Sequence, residues 1–597
     1  MKLPQRLNRL ALSVTAIGML SACDRSPDEA PAPTPPPVAG SITLTGVVAR
    51  GAALANANVT VTCATGNGTA TTSATGGYSV VITGGALPCV LRATSSDSSL
   101  RLHSVAPAGT GSSVTANVTP LTELVVARLT GSEPTAYVSG VVASTLAGTV
   151  TAAAVAAAQA SVASTLLAGG VNTSTAGDFI SGALVAAAPG NTPNAYDRVL
   201  DALSAQLTTA GSTLAALTTT IASGSPAAPA NPSTGETVTL PADLLLKPKA
   251  ATCAWLASAR YRLVKQAPSP ASTVTAVDTV DFDAPTLTFR LPGTQTVVDT
   301  LTPNGNCRFS TPAGADIVVS PAGVLVARAT IGADDDSVAI SARGTTRTIV
   351  GLPVQDIAVA DVAGIWNYIG WEREGAATGY REAGITVTWA SSGAITAVKC
   401  DSLLTADSAC TTASTLLPVL SVNSAGGFNL TSTDPSDPYV QRAFFYRAGS
   451  GELMGMTLSD DGSVGFLTKV RTLSLPAVGA VTTTWNLDVR DTALSAGAMY
   501  YRTNTVASVD AAAGSLVRNV ANDASAVTVP QTLQYNRARP GHIYRPFANA
   551  TSSAGSPATV RELYSLPLRG IGMTAYYLVP NSTAPAPLFG LSVTRQP

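Results

Sequence analysis

Histidine is almost absent: only His103 and His542 occur in 597 residues. Acid–base chemistry near neutral pH therefore has few side chains to draw on. Charge is scarce as well, at 12% of residues, and balanced, with 35 Lys and Arg against 36 Asp and Glu. A net charge of −1 makes no global field that would draw the chain to nucleic acid or to acidic substrates. There is no Gly-Lys dipeptide, hence no P-loop, and neither H-E-x-x-H nor G-x-S-x-G occurs. C-x-x-C is missing too, so no metal site is expected and no cofactor is implied. What fills the space is Ala, Thr, Ser and Gly, with a hydrophobic fraction of 46% that argues against disorder. Such a chain suits strands and turns with hydroxylated faces. Its length exceeds what one core serves, and roughly three or four domains are expected.

The first residues are a secretory signal peptide over 1–22. Lys2, Arg6 and Arg9 make a basic start, Leu10 to Leu20 an apolar middle, and small residues follow. At its end, Leu20-Ser21-Ala22-Cys23 resembles the lipobox of bacterial lipoproteins. The resemblance implies that Cys23 takes a diacylglycerol on sulfur and becomes the first residue after cleavage. Several acyl chains on one cysteine make release from a bilayer slow. Asp24 resembles the signal that holds lipoproteins at the inner membrane of enteric bacteria, but other bacteria read that position differently. A lipid-anchored place in the bacterial cell envelope is expected, outer membrane favoured over inner. Residues 23–40 then form a tether, because Pro31, Pro33, Pro35, Pro36 and Pro37 favour extended geometry without hydrogen-bonded structure.

Six cysteines remain and fall as sequential pairs: Cys63 with Cys89, Cys253 with Cys307, Cys400 with Cys410. Each pair lies inside one expected domain, and an oxidising compartment lets such bonds persist. Six cysteines allow fifteen connectivities, and the sequential one is the expectation.

The fold class expected is multidomain α+β: an N-terminal β-sandwich, an Ala-rich helical domain, and a large, mostly antiparallel β region at the C-terminus, barrel or sandwich. Residues 41–113 alternate β-branched and polar positions between glycine turns. Gly46-Val47-Val48, Ala53 to Val61 and Gly76-Gly77-Tyr78-Ser79-Val80 resemble the carboxypeptidase regulatory-like, or transthyretin-like, sandwich family. In that family the module is an accessory spacer or binding domain, which is what the resemblance implies here. Residues 114–224 read as helical. Thr119-Pro120 is a helix start with Glu123 near its positive end, and Thr151 to Leu167 is an alanine-rich segment ending at Gly169-Gly170. That segment reads either as a helix packed through alanine or as a membrane span; its Ser, Thr and Gln159 favour the former. Further helices are expected after Asn194 and over Ser212 to Ser223. A linker at 225–239 leads to a β subdomain at 240–360 and a barrel-like or sandwich domain at 361–597, since many short strands separated by turns mean one or the other.

Candidate sites are few. Tyr535 to Pro546 is basic and aromatic in a charge-poor chain. Pro540-Gly541 predicts a turn that brings Arg539 and His542 together. With Arg537, Tyr544 and Arg545 these form a candidate site for an anionic or glycan ligand, since guanidinium forks bind carboxylate and phosphate. The alternative is internal pairing with Glu562 or Asp residues. Trp366, Tyr368, Trp371 and Tyr380 suit a sugar site or a core. Gly364-Ile365-Trp366 has the G-x-W form that resembles the opening of lipocalin barrels, which implies an apolar cargo. Trp366-Asn367 is echoed at Trp485-Asn486, hinting at a duplicated barrel unit. Glu372, Glu374 and Glu382 are the carboxylates a glycan or ester hydrolase would use. Asp334-Asp335-Asp336 reads as a solvated turn and His103 as structural. The leading expectation is a non-enzymatic envelope lipoprotein that touches the membrane through its lipid, presents a β-rich binding or adhesion domain to a glycan, anionic ligand or envelope protein, and does not bind nucleic acid.

Overall fold

The computed structural model describes residues 40–223, 238–265, 277–330, 346–373, 380–399, 417–433, 435, 440–459, 463–490, 495–496, 498–537, 539–582 and 588–596. The expected signal peptide, Cys23, the expected tether, most of the expected linker at 225–239, Asp334 to Asp336 and the expected Cys400/Cys410 pair lie outside the described residues.

The fold is α+β, with an N-terminal sheet region, helices, and a large C-terminal β region. At the start, Ile42–Val47 pairs antiparallel with Gly77–Ile82 and parallel with Ser113–Thr115. A second, four-stranded sheet runs Asn67–Thr71, Asn58–Thr65, Ala86–Thr94, Arg101–Ala106. Alternation decides the inner face: Val59, Val61 and Cys63 are buried, with half-buried or exposed residues between them. Cys63 stands directly opposite Cys89 in the ladder, and the two are disulfide-bonded.

Helices follow where expected. Thr119 caps Pro120–Thr130, its side chain accepting from Thr122 N–H, and Gly131 ends the helix in the left-handed region. Thr151 caps Ala152–Ala168, and Asn194 caps Ala195–Thr209. No described helix is long and apolar enough by itself to cross a membrane; Ala143–Thr149 and Ala152–Ala168 reach that composition only together, bent by 64°. The sandwich and the helices share one hydrophobic core: Leu44, Val61 and Leu91 pack in the same cluster as Leu121, Val162 and Leu200. The boundary expected at 113/114 thus separates segments that bury their apolar faces against each other.

Among the described residues the C-terminal region has three nine-stranded antiparallel sheets. The first, from Ala259–Lys265 to Thr346–Pro353, stays open, and the Cys253–Cys307 disulfide is beside it. In the second, strands follow one another as an up-and-down meander from Gly364–Arg373 to Val464–Lys469, and these two pair with each other. A single bridge between Ala394 and Val419 joins the remaining seam. This first barrel has its aromatic rings inside: Trp366, Trp389, Phe428 and Phe445 meet edge to face at 5.5–5.9 Å.

The third sheet closes fully. Its meander starts with Val481–Arg490 and ends with Leu588–Thr594, which pair antiparallel over seven positions, Thr484 to Arg490. It is a second barrel with the same topology, so the Trp-Asn echo falls on the opening strand of each. The faces are opposite, however. Trp366 points into its barrel, whereas Trp485 points out, into a core shared by all three sheets. In that shared core Trp371 stacks against Phe589 of the second barrel at 6.2 Å and 20°. Tyr446 donates its hydroxyl to Ala322 O of the open sheet at 2.5 Å.

Candidate functional site

A cleft of about 870 Å³ lies between the helices and the first barrel. The helical wall comes from Arg128, Ser161, Thr165 and the end of Leu214–Ser223; the β wall from Gln355 to Asp361, the Arg447–Glu452 turn, Lys469 and Arg471. The turn is held in place by Gln355, which donates Nε2–H to Arg447 O at 3.0 Å and accepts from Arg447 N–H at 2.7 Å. Across the cleft Ser223 donates to Gly449 O at 2.7 Å.

Both signs of charge converge here. Arg447 pairs with Asp361 at 3.2 Å, and Arg471 with the buried Glu452 at 3.2 Å. Lys469 donates to Asp361 O at 3.1 Å and sits 5.6 Å from the Trp366 ring. Burial, reinforced by the neighbouring Arg447 charge, lowers the pKa of both Lys469 and Arg128. Burial raises that of Asp243. Ser450 Oγ is buried with no hydrogen-bond partner among the described residues. Arg128 donates Nε–H to Ser161 at 2.9 Å. These groups can hold a polar, doubly charged or hydroxyl-rich ligand. Neither histidine lines the cleft. Reading the sequence missed it, because Arg128, Asp361, Arg447 and Lys469 are far apart in the chain and no local pattern links them.

The basic stretch near the C-terminus is divided differently from the expectation. Pro540-Gly541 does turn the chain, and Gly541 has φ +93° where a Cβ would run into Asn367 and Arg471. Asn367 donates to Pro540 O at 2.7 Å, and Asn536 accepts from Gly541 N–H at 2.9 Å and from Leu473 N–H at 2.9 Å. The turn is therefore wedged against the first barrel, and it carries Arg539 and His542 inward, at 1% and 5% exposure. Arg545 is buried inside the second barrel. Only Arg537 and Tyr544 reach the outer surface, stacked at 4.6 Å. The five residues do not form one exposed ligand face, and the anionic-site expectation for them as a group is corrected on that ground. Desolvation and the Arg539 charge push the His542 pKa down to about 3, so this ring is neutral.

The other candidates sort as follows. Trp366 donates Nε1–H to Val362 O at 2.7 Å within the barrel core, and Trp371 belongs to the three-sheet core. Tyr368 lies across Gly370 and Gly465, where any Cβ would meet its ring, and donates to Glu372 at 2.7 Å. Glu374 lies outside the described residues; Glu382 stands opposite Trp371 in the ladder. His103 is fully buried and bonded to Glu123.

No family model matches the chain. No curated protein matches it either. Among solved structures it is similar to a protein of unknown function from the DUF3598 family of Nostoc punctiforme, at 10% identity over 41% of this chain and 100% of that one, TM-score 0.16. Transferrin binding protein B of Haemophilus parasuis matches at 8% identity over 57% of this chain and 75% of that one, TM-score 0.19. HpuA of Kingella denitrificans, solved in complex with human haemoglobin, matches at 10% over 40% and 90%, TM-score 0.15. Likenesses at TM-scores this low carry no argument for the present chain.

Proposed function

We propose that the chain is a cell-envelope lipoprotein, anchored through Cys23 with the outer membrane as its favoured membrane, that binds a polar partner and does not turn it over. The proline-rich segment at 23–40 lifts the folded part off the bilayer. The partner is a glycan, an anionic ligand or an envelope protein. The observation that carries the binding reading is the cleft between helices and first barrel, whose walls set Arg447, Lys469 and Arg471 beside Asp361 and Glu452. Its two paired carboxylates are each held by an arginine, which suits recognition by fixed charge. An apolar cargo, the lipocalin-like alternative, has less to support it: the first barrel is filled by its own aromatic rings.

Two measurements test this. Metabolic labelling with a palmitate analogue should mark the wild-type protein, and Cys23→Ser should lose the label and leave the membrane fraction. Titration with defined anionic and neutral glycan fragments should show saturable binding that Lys469→Ala weakens. If labelled protein persists after Cys23→Ser, the anchor is wrong. If a panel of glycans and esters is hydrolysed by the wild type, the binding-only reading fails.

A further inference from the structure

The second barrel carries an unusual interior. Because Trp485, Leu487, Tyr577, Phe589 and Leu591 face the three-sheet core, the alternate residues of the same strands face inward. Cross-strand register then places Asn486, Asp488, Tyr500, Arg502, Arg518 and Arg545 on that inner face. Among the described side chains, three arginines thus point into one barrel with one aspartate among them.

The aspartate is already engaged. Asp488 accepts from the Tyr576 hydroxyl and, at 3.2 Å, from Tyr500. Tyr576 reaches it by lying over Gly590, where a Cβ would strike its ring. Arg518 and Arg545 meanwhile converge on a single neutral oxygen, Gln531 Oε1, at 3.1 and 2.8 Å. Arg545 spends its Nε–H on Arg561 O at 2.9 Å. Arg518 Nε is shielded from solvent with no hydrogen-bond partner among the described residues. Arg502 bonds Asn522 at 3.0 Å, toward the end of the barrel where Asn522 and Asp523 are exposed. Arg545 is 4% exposed, while Arg502 and Arg518 are half-buried, so exposure falls from Arg502 and Arg518 to Arg545.

A guanidinium does not deprotonate in proteins, and a buried charge facing only neutral or like-charged neighbours is costly. Burial, and then the charges of Arg518 and Arg502, push Arg545 down to about 9, which registers the missing counter-charge. A tetrahedral oxyanion supplies what the site lacks: negative charge, and oxygens for two forks at once. We propose that the interior of the second barrel binds a small oxyanion of the phosphate or sulfate type, held between Arg518 and Arg545 with Arg502 toward the mouth. This site is separate from the cleft and stands or falls independently of it.

The test is calorimetric titration of the full mature chain in detergent with inorganic phosphate and with sulfate, at ionic strength matched by sodium chloride. Saturable binding is expected. Arg518→Gln should weaken it about 10-fold or more, the loss of one charge-assisted hydrogen bond, while Arg537→Gln on the outer surface of the same barrel leaves it unchanged. Should Arg518→Gln misfold, Arg518→Lys keeps the charge, removes the fork, and should still weaken binding. Glucose 1-phosphate is a second arm: binding there assigns the site to a phosphoryl group on a larger molecule, and binding of phosphate alone assigns it to the free anion. Heats no larger than those of chloride, or equal weakening by Arg518→Gln and Arg537→Gln, overturn the proposal.

Discussion

Glu123, in the first turn of the Pro120–Thr130 helix, clamps His103 of the edge strand Arg101–Ala106: one carboxylate oxygen accepts both the His103 backbone N–H at 2.5 Å and the ring Nδ1–H at 2.9 Å. The histidine is fully buried and the glutamate nearly so. An edge strand normally leaves such N–H groups to solvent or to another chain; here a helix satisfies one of them, and sheet and helix become one unit. Glu123→Ala should therefore destabilise that unit by about 1–3 kcal/mol, the cost of buried donors left unpaired. Glu123→Gln, which keeps an acceptor, should lose less. Helical circular dichroism in urea reads this unit, because the long helices among the described residues lie before residue 224 while all five tryptophans, from Trp255 to Trp485, lie after it.

The Cys63–Cys89 bond closes 26 residues of chain between paired strands. Replacing both cysteines by alanine should lower stability of the sandwich by about 3 kcal/mol. The urea midpoint by helical dichroism should fall, since sandwich and helices share a core, while tryptophan fluorescence should report an unchanged C-terminal transition. Loss of both transitions together would show that the two regions unfold as one.

His542 makes stability depend on pH. Its native pKa, about 3, is below the ordinary value of 6.5, so below pH 6.5 the unfolded chain takes up a proton that the folded chain refuses. The stability it allows is fully present above pH 6.5 and is lost progressively as pH falls toward 3. The loss should approach roughly 1.4 kcal/mol per pH unit between pH 6 and 4. His542→Asn should flatten that part of the profile, measured by urea unfolding followed through tryptophan fluorescence. A variant with the wild-type slope would show that the ring is solvated.

Tyr446 ties the first barrel to the open sheet through Ala322 O. Tyr446→Phe leaves a buried carbonyl without that donor and should cost about 1 kcal/mol. The tryptophan-fluorescence midpoint should shift down with no change in the helical signal.

Several features were legible in the chain itself because they depend on neighbours in sequence. Thr119-Pro120 announced a helix, since cap and first-turn proline act within four residues. Cys63 and Cys89 could be paired because each stands in a strand of the same small unit. His103 is buried and bonded to Glu123, a partner no local pattern marks, because strand and helix meet only in three dimensions.

What the sequence by itself determined is the order of β, α and β regions, and the local caps and turns. These arise from composition and from contacts a few residues apart. Only the tertiary structure decided which face of each strand became interior. The Trp-Asn pair shows the reason: the same two residues open both barrels, yet Trp366 is enclosed and Trp485 is turned outward. A strand has two faces one residue apart, and which face is buried depends on what packs against it. The same choice carried Arg545 into the second barrel and left Arg537 outside, and it brought Arg447, Lys469 and Asp361 to one cleft from distant parts of the chain.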